Sequence, residues 1–104
     1  MNKDTPIACR PGALSHRENQ DRRALIESLR DAVLSLSWSD RGLSAKVAKS
    51  KDTLMTAGLL VAFESQCCPF LAFHLRVGAG EEPFTLEISG PPGSGEMLRS
   101  ELGL

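Results

Sequence analysis

Two cysteines stand side by side in this chain, Cys67 and Cys68, and a third, Cys9, lies far upstream. Thiolate sulfur selects soft ions, so neighbouring thiols point first to metal or redox chemistry. Three sulfurs suit Hg(II), As(III) or Cu(I) better than a structural zinc, which wants four ligands. The expected ligand set is Cys67, Cys68 and Cys9, provided that the fold brings Cys9 to the pair. His74 is a conceivable fourth ligand, but it falls among the polar positions of its segment. The sequence motivates no organic cofactor.

The same segment supports a second chemistry. Two thiols and a nearby carboxylate, Glu64, are the minimal equipment of a thiol enzyme that works by redox or by protonating a metal–carbon bond. The catalytic residues would then be Cys68, Cys67 and Glu64. A Cys-His pair would need His16 or His74 beside Cys68. A third reading has no chemistry: cysteine is among the most buried residue types, and the pair would then be core packing in a structural or dimer-forming module.

Local electrostatics favour capture of an ion over nucleophilic catalysis. The pair sits where a helix must end, and a helix C-terminus carries partial negative charge. That field, with Glu64 one turn back, disfavours a thiolate and favours a bound cation. Adjacent cysteines are poor disulfide partners for each other. The N-terminus is polar and no signal-like apolar stretch follows. The chain therefore reads as cytoplasmic, with its thiols reduced.

The run Glu64-x-x-Cys67-Cys68-Pro69-Phe70-Leu71-x-Phe73 resembles a group of small bacterial proteins with an E-x-x-C-C-P-F core. The likeness continues through Leu86-x-Ile88-x-Gly90-Pro91 and the closing Glu101-Leu102, and those proteins also carry a cysteine ahead of an Arg-rich first helix, here Cys9. The resemblance implies a role alongside heavy-metal resistance, and assigns no activity. This chain departs from the group at Pro92-Gly93-Ser94-Gly95, where a more helical run is usual.

Elements that position these residues follow from periodicity. Residues 5–10 carry a weak strand signal. Ser15 and Glu18 fit a capping box. Leu25, Ile26, Leu29, Ala32, Val33 and Leu36 then recur at helical spacing, predicting an amphipathic helix from His16 to Asp31. Arg17, Asp21, Arg22, Glu27 and Arg30 form its other, solvated face, and Asp21-Arg22-Arg23 reads as surface. Leu34, Leu36 and Trp38 alternate with serines, as do Leu43, Ala45 and Val47 with Ser44 and Lys46, predicting a hairpin. Gly42 in its turn is available for a positive φ. Ser50 caps a second helix to Gln66, apolar around its girth and so expected to be the more buried. Gly58 in its middle is costly unless something packs closely there. Pro69 forces Cys68 out of the helix.

Residues 71–77 and 84–89 alternate around the flexible loop 78–82, predicting a second hairpin. The Gly90-Pro91-Pro92-Gly93-Ser94-Gly95 run lacks the ending of a phosphate loop. It reads as a turn before a short helix capped by Ser94. The fold class is α+β: an antiparallel sheet of four to five strands from two hairpins, with two main helices and a short C-terminal helix on one face.

At 104 residues the chain is one domain, with residues 1–5 a candidate disordered tail. Lys plus Arg is 12 and Asp plus Glu is 13. A net charge of -1 gives nucleic acid no long-range attraction. Four Phe, one Trp and no Tyr leave little for base stacking. The longest apolar run, 57–63, falls far short of the roughly 20 residues that span a bilayer. The expected partner is a metal ion or small thiophilic ligand, with a homodimer as a further possibility.

Overall fold

The computed structural model describes residues 12–103. Its elements are α1 (His16–Arg30), β1 (Val33–Ser39), β2 (Gly42–Val47), α2 (Lys51–Cys67), β3 (Ala72–Arg76), β4 (Phe84–Ser89) and α3 (Ser94–Leu102). The architecture is the expected α+β arrangement, with four antiparallel strands among the described residues, in the order β1-β2-β4-β3. The predicted strand near residues 5–10 lies outside the described residues.

Local chemistry starts the two long helices. Ser15 and Glu18 close a reciprocal capping box on α1, and Ser50 and Thr53 close one on α2. Each satisfies two backbone groups that a helix start leaves without partners. Both hairpins form, and β2–β4 pairing joins them into one sheet.

Alternation then decides the faces. Leu43, Ala45 and Val47 on β2 and Phe84, Leu86 and Ile88 on β4 are buried. They pack with Ile26 and Leu29 of α1, Ala57 and Leu60 of α2, and Leu98 and Leu102 of α3. All three helices thus cover the same side of the sheet. Ser44, Glu87 and His74 align across β2, β4 and β3 on the opposite, solvent-facing side.

Two expectations are corrected. Gly42 does not use a positive φ. It is needed because a Cβ there would stand 1.8 Å from the carbonyl oxygen of Ile88, where β2 meets β4. The cap of α3 is Gly93, in the left-handed region at φ 97°, and not Ser94. Ser94 is the first helical residue and fully buried. Backbone amides of Gly93 and Gly95 donate to the carbonyl oxygen of Asp40, so the β1–β2 turn performs the capping. Helix α2 is the more buried of the two long helices, as expected, with Ala57, Leu60 and Glu64 buried where α1 buries Ile26 and Leu29, but not on every side. Met55 is 56% exposed and Leu59 51%, because only one side of this apolar helix can face the sheet.

Candidate functional site

Glu64 carries the centre of the site. It is fully buried in the last turns of α2. Burying a lone carboxylate is prohibitive, so it must be paired. The partner is Arg22, on α1. Its Nε donates to Oε2 of Glu64 and its Nη2 to Oε1, the latter at 3.0 Å. This is the two-pronged arrangement that a planar guanidinium makes with a carboxylate. Glu101 of α3 stands 3.8 Å from the same Nη2. One arginine therefore connects all three helices.

The guanidinium pKa is raised above its ordinary value, first by the hydrogen bond to Glu64, against burial, which lowers it. The charges of Glu64, Glu101 and Cys67 also favour the cation. Arg22 is thus no member of a solvated face. Its side chain is only 13% exposed. Sequence reasoning missed it because an arginine among charged neighbours gives no sign of a partner on another helix.

Pro69 acts as expected. Helix α2 ends at Cys67, and Cys68 has left helical geometry, at φ -123° and ψ 77°. Its amide still donates to the carbonyl oxygen of Glu64, at 2.7 Å, and its own carbonyl accepts from Leu71 at 3.1 Å. The two side chains meet different surroundings. Cys67 is half-buried, whereas Cys68 is fully buried within the core cluster. Gln66 reaches back to the carbonyl oxygen of Ala13, at 3.0 Å, tying this end of α2 to the segment before α1.

The sulfurs also differ in state. Cys67 is a thiol, whereas Cys68 is disulfide-bonded. The expectation of uniformly reduced cysteines is corrected on this point. Cys9, the third expected ligand, lies outside the described residues. Among the described residues no group of three or more His, Cys, Asp or Glu side chains is placed to hold a metal ion. His74 projects from the solvent face of the sheet, beside Glu87 and away from the helix layer. His16 is exposed at the start of α1.

The field at this helix end also differs from the expected one. Glu64 does not present a bare negative charge to the thiols, because Arg22 neutralises it. Both of its oxygens accept from Arg22, so the carboxylate that a bond-cleaving thiol enzyme would use as an acid is engaged elsewhere.

Comparison with protein-family models, curated proteins and solved structures finds no match. Among the described residues no helix is long and apolar enough to cross a membrane.

Proposed function

We propose that this protein captures a soft metal or metalloid ion, Hg(II), As(III) or Cu(I), through the thiolates of Cys67 and Cys68, with Cys9 as third ligand. The observation that carries the reading is the pairing of Arg22 with Glu64, one turn before Cys67 and Cys68 in the chain. It cancels the negative charge that Glu64 would otherwise add to the helix C-terminus. Because the sulfur of Cys68 is in a disulfide, capture follows a two-electron reduction. A dithiol reductant supplies two electrons and two protons and leaves as its own disulfide; the released thiols then lose protons as they bind the ion.

The protein would be reduced with dithiothreitol, freed of reductant under argon, and titrated with Hg(II) or As(III) against a competing chelator. Submicromolar binding is expected, with loss in Cys67→Ser/Cys68→Ser. Unchanged binding by that double variant would sink the proposal.

A disulfide on Cys68 next to a thiol on Cys67 also favours a second reading, thiol–disulfide exchange. Its signature is a cysteine that reacts with iodoacetamide as a group titrating below pH 7. Slow alkylation up to pH 8 argues for capture instead.

A further inference from the structure

We propose that the disulfide of Cys68 is to Cys9, and that this bond is a redox gate on the soft-ion site. The gate rests on the function proposed above; the bond itself does not.

Elimination names the partner. The chain has three cysteines. Cys67 is a thiol and Cys68 is disulfide-bonded. Within one chain only Cys9 remains. Cys9 lies outside the described residues, but the chain that leads to it is anchored beside the pair. Gln66, two residues before Cys68, donates from Nε2 to the carbonyl oxygen of Ala13 at 3.0 Å. The next residue, Leu14, is buried, and Gly12 turns the backbone at φ 75°. The segment before α1 is therefore held at the C-terminal end of α2. Four residues from Ala13 back to Cys9 span up to about 14 Å. A disulfide needs Cα atoms roughly 4.4–6.8 Å apart, so the anchor puts Cys9 within reach of Cys68. The covalent state of one sulfur and the hold of Gln66 on Ala13 are independent observations, and both point to the same pairing.

The bond decides how many sulfurs an ion can use. With it closed, Cys67 is the one thiol of the three. With it open, all three sulfurs are available, the number that suits As(III) or Hg(II). A dithiol reductant opens the bond by thiol–disulfide exchange. Its first thiol forms a mixed disulfide with one sulfur and expels the other as a thiol. Its second thiol then releases the remaining cysteine and leaves with the reductant's own disulfide formed, so two electrons and two protons pass to the protein. The bond also closes a loop that contains α1, β1, β2 and α2. Closing so long a loop restrains the unfolded chain.

The full chain, purified without reductant and held in air, is unfolded at about pH 6, where exchange is slow, and treated with N-ethylmaleimide. Wild type should take up one maleimide per chain, Cys67→Ser none and Cys9→Ser two. Trypsin should then give residues 4–17 joined to residues 52–76, with the maleimide on Cys67. Dithiothreitol should lower the urea midpoint of wild type by about 1–2 M and leave that of Cys9→Ser unmoved. As(III), added after the reductant is removed, should bind the reduced chain and not the oxidised one. Three maleimides on unreduced wild type, a Cys67–Cys68 link, or a doubled mass on a non-reducing gel overturns the pairing. A confirmed pairing with equal As(III) binding in both states overturns the gate. A confirmed pairing with no As(III) bound in either state overturns the capture reading, and the gate with it.

Discussion

Arg22 and Glu64 are the residues on which the candidate site depends. A buried ion pair is weak evidence of net stabilisation, because desolvation offsets most of the attraction. Breaking it is another matter. Glu64→Gln would leave a guanidinium, 13% exposed, without its counter-charge, and should lower the unfolding free energy by about 3–5 kcal/mol. Arg22→Met/Glu64→Leu removes both charges and should fall within about 1 kcal/mol of the wild type, or exceed it. Urea unfolding midpoints of the single and double variants check this. A double variant as unstable as Glu64→Gln would show that the pair organises the helices beyond its own charges. Ser94 is a smaller anomaly of the same kind. Its hydroxyl is buried and has no hydrogen-bond partner among the described residues, wedged where Gly90 leaves room for it.

Among the elements, α2 is the more buried of the two long helices, as its apolar girth predicts. A helix lying on a single-layer sheet can nevertheless bury only one side. Gly58 falls on the open side, where an added Cβ would meet nothing within 4 Å. Among the described residues nothing packs there to offset its conformational cost. Gly58→Ala should therefore stabilise the protein by about 0.5–1 kcal/mol, read as a higher thermal midpoint. A loss of stability would mean that the glycine is needed for close packing against something outside the described residues. The other glycines that matter are different in kind. At Gly95 a Cβ would stand 1.9 Å from the carbonyl oxygen of Ser39, so the start of α3 and the β1–β2 turn approach only because no side chain intervenes.

For the whole molecule, the weak point of packing lies between α1 and the sheet. An apolar cavity of about 40 Å³ is lined by Ile26, Leu29, Val33, Leu36 and Ala45 among others. The space is partly open to solvent, and its walls offer water almost no polar partner. Ala45→Val would fill part of it from a central strand and add β propensity. The expected gain is about 1 kcal/mol, equivalent to roughly 4–8 °C in Tm for a domain of this size. A fall in Tm would show that the surrounding side chains cannot yield.

Much of this fold was legible in the chain alone. Alternation marked all four described strands, and the capping boxes at Ser15 and Ser50 marked the helix starts, because these signals act between residues a few positions apart. Pro69 likewise ends α2 through local sterics. Tertiary structure alone decided which charged residue was buried, since the partners Arg22 and Glu64 meet only when α1 crosses α2. It also decided why Gly42 must be glycine, which depends on the approach of β4, and that Asp40 rather than Ser94 caps α3. The cysteines divide the same way. Their types and adjacency set the chemistry open to them. The different burial and bonding of Cys67 and Cys68 came from where the chain turns, because a residue leaving a helix points its side chain into surroundings that only the assembled layers supply.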